Sequence, residues 1–146
     1  MDFKNIFFQK AADCLENHPA NRIDALDHLI LYDRLLIGYG SANDPLFETL
    51  KDPNVVGPHY LQPNAWLPEA ETVISFFLSF SERVRKSNRA GKLPSIEWLY
   101  ARIEGQAFIN TFTKLMLEEL INMDLKAVAP SLDPQYRKEK LKSNWS

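Results

Sequence analysis

Apolar residues recur at steps of three and four near the start of the chain, which is the period of a helix with one buried face. Phe3, Phe7, Ala11 and Leu15 keep this spacing. Asp2 can cap the start, and the proline at position 19 prevents continuation. The pattern predicts a first helix over residues 2–17. A second helix is expected after Asn21, with an apolar face formed by Ile23, Leu26, Leu29 and Ile30.

The clearest strand signal lies at residues 72–80, which read TVISFFLSF. The run is rich in β-branched and aromatic residues and apolar on both faces, so it predicts a strand in the centre of a small covered sheet. Residues 126–129 predict a second strand that ends at Pro130. Residues 35–37 are short and apolar and fit either a strand or the end of a helix.

A long helix is predicted over residues 95–123, because Pro94 and Ser95 form a start signal; Gly105 inside it predicts close packing or a bend. Its apolar residues fall on two roughly opposite sides, so we expect a helix that is buried over much of its circumference. One side holds Ile96, Leu99, Tyr100, Ile103 and Ala107, and the other holds Phe108, Phe112, Leu115, Met116 and Leu120.

The segment between these elements is rich in turn residues. Gly38 and Gly40 open a dense turn, and Asp44 followed by Pro45 predicts a short helix through residue 51. Prolines at 53, 58, 63 and 68 predict an irregular but ordered loop, with His59, Tyr60 and Trp66 as anchors.

The fold class expected from these elements is α/β, with α+β as the alternative. We predict a single helix-rich domain over residues 1–135, with a small sheet, and a flexible tail over residues 136–146, which have neither a cap nor a periodic pattern.

The long helix also carries two polar lines. Glu97, Glu104, Thr111 and Glu118 recur every seven residues and form a solvent stripe. A second line requires a partner, and the favoured interpretation is hydrogen bonding to an adjacent loop. The alternative is a polar cofactor or a partner subunit, because a guanidinium with nearby amides suits phosphate or carboxamide groups. This second line consists of Arg102, Gln106, Asn110 and Thr113.

Composition narrows the function classes. Cys14 is the single cysteine of the 146 residues, so these residues cannot supply the four thiolates of an iron–sulfur cluster. A secretory signal and a membrane-spanning apolar run are both missing from the sequence, which predicts a cytoplasmic protein without a membrane role. Residues 1–71 hold 5 basic and 11 acidic side chains, whereas residues 72–146 hold 12 and 8. The basic run at 83–92 is interpreted as a solvated loop, with contact to transfer RNA phosphates as the alternative.

Three segments read together resemble a known family. They are residues 37–51 (IGYGSANDPLFETLK), residues 56–74 from VGPH to WLPEAETVI, and residues 97–110 (EWLYARIEGQAFIN). The chain resembles the N-terminal part of epoxyqueuosine-reductase-like proteins, which are cobalamin- and iron–sulfur-dependent reductases. The resemblance runs from about residue 30 to the end.

The resemblance implies a corrinoid-binding α/β domain followed, in the family, by a ferredoxin-like domain with 4Fe–4S clusters. It therefore implies a truncated or fragmentary cofactor-binding domain with cobalamin as its cofactor, without catalytic or metal-ligating residues, and not competent for redox catalysis alone. The residues expected near the cofactor are Gly38, Ser41, Asp44, His59, Arg102, Gln106 and Asn110.

Two interpretations from different classes remain open at this point. In the first, the chain is the cofactor-binding part of a redox protein whose C-terminal domain is missing. In the second, it is a non-catalytic structural or interaction protein without a cofactor. A homodimer is expected in either case, because half of an α/β sheet leaves an uncovered flank.

Overall fold

The computed structural model describes residues 2–139 and 142–145. The described residues form a helix-rich mixed α/β fold, which confirms the predicted fold class. They divide into two compact units. Unit 1 contains the described residues within 1–37 and 76–123, and unit 2 contains those within 38–75 and 124–146.

Unit 1 begins with helix α1 (Phe3–Asn17), whose buried stripe Phe7, Ala11 and Leu15 follows the predicted spacing. The helix starts directly after Asp2, although the Asp2 side chain makes no capping hydrogen bond. The predicted second helix is wrong. Its place is taken by a 3₁₀ turn (Pro19–Asn21) and two short strands, β1 (Arg22–Ile23) and β2 (Leu29–Ile30). The two strands pair antiparallel, with Arg22 opposite Ile30.

Asn21 explains this difference. Its side-chain Nδ2 donates to the carbonyls of Leu15 and Tyr32 at 2.9 and 2.8 Å, and its Oδ1 accepts from the Tyr32 N–H at 2.9 Å. Asn21 is buried, so these bonds are shielded from water. The side chain therefore ties the end of α1 to the following strand instead of capping a helix.

The principal strands are β3 (Tyr32–Ser41) and β4 (Thr72–Phe80). The β4 boundaries match the predicted residues 72–80. At one end the Ser81 N–H donates to the Leu31 carbonyl, and at the other the Ala42 N–H donates to the Glu71 carbonyl, so the two strands run antiparallel. The expected central position of β4 is not found among the described residues, where its one neighbour is β3.

Helix α4 (Glu82–Ser87) follows β4, and the Ser81 Oγ caps it by accepting from the Val84 N–H. Helix α5 (Ile96–Asn122) confirms the predicted long helix to within one residue at each end. Ser95 is its N-cap, with its Oγ accepting from the Trp98 N–H at 3.1 Å. Helix α5 packs against α1 and α4.

The burial of α5 differs from the prediction. Its buried residues lie on one face: Ala101, Gly105, Phe108, Phe112 and Met116. The opposite apolar side is exposed, so the prediction of a helix covered on both apolar sides is wrong for that side.

Unit 2 contains the short helices α2 (Leu46–Thr49) and α3 (Pro63–Trp66). It also contains strands β5 (Lys138–Glu139) and β6 (Lys142–Ser143), which pair antiparallel. The predicted strand at 126–129 is wrong: this segment is irregular and leads into a 3₁₀ turn (Pro130–Leu132). The domain boundary at residue 135 and the flexible tail stay predictions.

Candidate functional site

An open groove of about 610 Å³ lies in unit 1 between β4 and the first half of α5. We call it the aromatic groove because five of its lining residues are aromatic: Tyr32, Phe76, Phe77, Phe80 and Trp98. Its other lining residues include Ala101, Arg102, Gln106 and Ile109 on α5. The groove therefore combines a flat apolar wall with a few polar groups, as ligand sites commonly do.

The strand side of the groove is a stack of rings. Tyr32 lies parallel to Phe80, with the ring centroids 4.9 Å apart and the planes at 13°. Trp98 meets Phe80 edge-on at 5.3 Å. Alternate residues of β4 point to the same face, so Phe76 and Phe80 both reach this wall.

Small residues on α5 allow the strands to approach the helix. Ala101 is completely buried. A Cβ atom at Gly105 would lie 2.7 Å from the Tyr32 hydroxyl oxygen and 3.4 Å from Phe80. The absence of a side chain at position 105 therefore allows the aromatic wall to lie close to the helix.

The polar line predicted on α5 is only partly in the groove. Arg102 and Gln106 line the groove, and Asn110 is not among its lining residues. The Gln106 amide donates to the Asn110 Oδ1 at 3.1 Å. Thr113 donates to the Ile109 carbonyl at 2.8 Å within the same helix. The favoured interpretation, hydrogen bonding to an adjacent loop, is therefore wrong for Gln106, Asn110 and Thr113.

Arg102 makes no hydrogen bond or ion pair with any residue that the structure describes. Its five N–H donors are thus available at the edge of an apolar wall. Burial raises the pKa of the Tyr32 phenol above its ordinary value. The groove offers hydrogen-bond donors and aromatic surface, and its described lining contains no nucleophile or carboxylate pair.

The other four predicted residues belong to unit 2. Gly38 is a position of close approach in the sheet, since a Cβ there would lie 3.2 Å from the Ser75 Oγ. Ser41 and Asp44 share one turn. The Ser41 Oγ accepts from the Asn43 N–H at 3.2 Å, and the Asp44 Oδ1 accepts from the Leu46 N–H at 2.9 Å. These polar groups therefore have structural partners, and their role toward a cofactor stays a prediction.

His59 is different because its Nε2 atom is buried and has no hydrogen-bond partner among the described residues. The ring is held beside Gly57, which has a φ of +122°. A Cβ at Gly57 would lie 2.9 Å from His59 Cε1. Position 57 thus needs glycine both for its backbone angle and for the space that the imidazole occupies.

Sequence reasoning missed an aromatic cluster in unit 2. Tyr60 and Trp66 are buried as predicted, but both contact Trp145, with ring centroids 6.5 and 6.0 Å apart. Asn144 supports this arrangement, because its carbonyl accepts from the Leu61 N–H at 2.9 Å and its side chain donates to the Gln135 carbonyl at 2.8 Å. The sequence signal that could have indicated this cluster was Trp145, a large aromatic residue in a segment without a periodic pattern.

The basic run at 83–92 is partly neutralised. Arg83 pairs with Asp27, and Lys86 lies 2.8 Å from Glu82. This ion pair lowers the pKa of Glu82. Arg85 donates to the Phe80 carbonyl, so part of the run serves the local structure of α4.

Two other kinds of site are absent from the described residues. They contain no group of three or more His, Cys, Asp or Glu side chains placed to hold a metal ion. None of their helices combines the length and apolar character needed to cross a bilayer.

Comparisons with protein-family models, with curated proteins and with solved structures find no match to this chain.

Proposed function

We propose that the chain is the cofactor-binding N-terminal part of an epoxyqueuosine-reductase-like protein, and that the aromatic groove provides part of a corrinoid-binding surface. The observation that carries the proposal is the groove's composition: an aromatic wall faces the unpartnered guanidinium of Arg102. The helical side of this groove is built from residues 97–110, which is the third segment of the family resemblance.

The residues present suit a corrinoid. Such a ligand has a flat, largely apolar macrocycle with amide-bearing arms. Phe76, Phe80 and Trp98 offer apolar surface for the macrocycle and exclude water from it. Arg102 and Gln106 offer N–H donors to carbonyl groups of the arms. When bound, the corrinoid would supply a cobalt centre that accepts and donates electrons.

Residues of unit 2 support the same family assignment at the level of the sequence segments. Residues 37–51 and 56–74 contain the Ser41–Asp44 turn, the constrained Gly57–His59 pair and the buried Tyr60 and Trp66. The buried Nε2 of His59 requires a hydrogen-bond partner, and a group brought by a cofactor is one candidate.

The proposal limits what the chain does by itself. Cys14 is the one thiol of the 146 residues, and burial raises its pKa, so it remains largely protonated at neutral pH. Cluster-mediated electron transfer would need cysteines from other polypeptide. A C-terminal cluster domain, a modified transfer RNA base as substrate and a cytoplasmic location are parts of the proposal.

A titration with hydroxocobalamin tests the proposal. Binding should shift the visible corrinoid bands and saturate at about one corrinoid per chain. Arg102→Ala removes a charged donor at the groove edge and should weaken binding about tenfold or more. Lys114→Ala is the matched control, since it removes an exposed cation of the same helix that does not line the groove.

Each outcome of this titration has a defined meaning. Unchanged bands at high corrinoid concentration would reject the proposed function. Binding that Arg102→Ala and Lys114→Ala weaken equally would place the corrinoid outside the groove.

The second candidate function is an interaction protein without a cofactor. It is favoured by one observation, the exposed apolar side of α5, whose residues reach 72% exposure at Ile103.

A further inference from the structure

Helix α5 has an apolar outer face that the described chain leaves uncovered. We define the outer face of α5 as Ile96, Leu99, Tyr100, Ile103 and Ala107, all of which are exposed. At about 100° per residue these side chains lie opposite the buried stripe that includes Phe108 and Phe112. The exposed Leu93 precedes the helix and extends the apolar surface.

An apolar surface of this kind is unusual on a monomer. Exposed single apolar residues are common, but contiguous ones mark contact with another molecule. Ile96 and Ile103 are one heptad apart, with Leu99 and Tyr100 between them, which is the spacing of a helix that packs lengthwise against another helix.

Charged residues flank the outer face asymmetrically. Glu97 and Glu104 lie on one side of it, and Arg102 lies on the other. None of these three side chains makes an ion pair or hydrogen bond with a described residue. The helix therefore presents an apolar strip with one acidic edge and one basic edge, and all these charges lack partners among the described residues.

We infer that the outer face of α5 binds a second copy of this chain, with the two α5 helices parallel. In a parallel pair related by a two-fold axis, each edge meets the opposite edge of the other helix, so the edge that carries Glu97 and Glu104 faces the edge of the second copy that carries Arg102. In an antiparallel pair the acidic edges would meet each other, and like charges would oppose association. Charge complementarity thus selects both the occupant and its direction.

This pairing also affects the aromatic groove, because Arg102 lies at the groove edge. A carboxylate from the second copy would fix the guanidinium there and limit its rotation. The inference itself does not rest on the proposed corrinoid function, since it depends only on the outer face of α5 and its flanking charges.

The first test is the oligomeric state, measured by sedimentation equilibrium. The wild-type chain should form a dimer, and Ile96→Glu should raise the dissociation constant at least tenfold. Val55→Glu is the matched control, because Val55 and Ile96 are both 60% exposed and Val55 lies in unit 2. Circular dichroism should report the same helical content for both variants.

The second test fixes the direction of the helices by disulfide formation in a Cys14→Ala background. In the parallel pair, Ile96→Cys should link to itself, and so should Ile103→Cys. An antiparallel pair centred between these positions would instead link Ile96→Cys only to Ile103→Cys, in a mixture of the two variants.

The outcomes are distinguishable from those of the proposed function. A monomer at all concentrations, an equal effect of Ile96→Glu and Val55→Glu, or mixed linkage alone would each overturn the inference. A monomer that binds only an unrelated protein would also overturn it. A monomer that still binds hydroxocobalamin would overturn the dimer and leave the corrinoid proposal standing.

Discussion

The hydroxyl oxygen of Tyr32 lies 2.7 Å from the position that a Cβ atom at Gly105 would occupy. Tyr32 cannot easily retreat, since it is 3% exposed and its ring is stacked between Phe80 and Phe108. A side chain at position 105 would therefore clash with Tyr32. Replacing a helix glycine by alanine usually increases stability, but at this position it should decrease it.

Gly105→Ala is therefore expected to lower the free energy of unfolding by about 1–2 kcal/mol, although alanine has the higher helix propensity by about 1 kcal/mol. Gly105→Leu should cost about 3 kcal/mol or more. In a Tyr32→Phe background, Gly105→Ala should become neutral or stabilising, because the closest atom is gone. Urea unfolding of the wild type, the two single variants and the double variant Tyr32→Phe/Gly105→Ala gives the coupling free energy between positions 32 and 105. The same effect of Gly105→Ala in both backgrounds would refute the contact.

Asn21→Ala should be among the most destabilising polar substitutions. It removes three buried side-chain hydrogen bonds and leaves the Tyr32 N–H and two carbonyls without partners, a cost of about 3 kcal/mol or more. Asn17→Ala is the control, since Asn17 makes one exposed bond within α1 and should change stability by about 0.5 kcal/mol or less. Equal thermal midpoints for the two variants would show that Asn21 does not hold this junction.

Gly57→Ala tests the constraint on His59. The substitution meets both a positive φ and a close contact with the imidazole, so it should cost about 2–3 kcal/mol. Gly91→Ala separates the two causes, because Gly91 has a φ of +113° but no atom within 4 Å of its Cβ position. We expect Gly91→Ala to lose only the free energy that the positive φ costs. When His59→Ala is added to Gly57→Ala, the part of the stability loss that is due to the clash with the imidazole should be recovered, and the backbone part should remain. Equal losses at the two glycines would contradict the steric part.

Alkaline pH should destabilise the fold through its buried phenols. Burial raises the pKa of Tyr32 and of Tyr60. Their stabilising contribution is complete below the unfolded-state pKa of about 10 and is lost as pH rises through the folded values, because the unfolded chain then releases its protons first. Unfolding between about pH 8 and 11 should show a smaller decline for Tyr32→Phe combined with Tyr60→Phe than for the wild type. Parallel pH profiles would contradict this assignment.

Local patterns predicted much of the fold. Strand β4 lies at the predicted residues and α5 is one residue shorter than predicted at each end, because continuous β-branched runs and a capped helix are determined by neighbouring residues. The strand predicted at residues 126–129 is wrong because so short a run, Lys126 followed by three apolar residues, forms a strand only beside a partner strand, and none lies beside it in the described chain.

Tertiary contacts determined the features that the sequence pattern could not predict. The sequence around Asn21 fits a helix cap as well as the turn that is observed. The hydrogen bonds from its side chain to the carbonyls of Leu15 and Tyr32 determine which of the two forms. The two apolar sides of α5 look alike in the sequence, yet one contacts α1 and β4 and the other is exposed. For the candidate site, Arg102 and Gln106 were predicted on the helix, but the aromatic wall opposite them required the packing of Tyr32 and Phe80.

Gel filtration of the purified chain after incubation with hydroxocobalamin tests the central claim most directly. The account predicts that the visible corrinoid absorbance elutes with the protein at about one corrinoid per chain, and that Arg102→Ala loses most of it while Lys114→Ala keeps it. Elution of all corrinoid at the position of the free compound, from a chain that is folded by circular dichroism, would contradict the account.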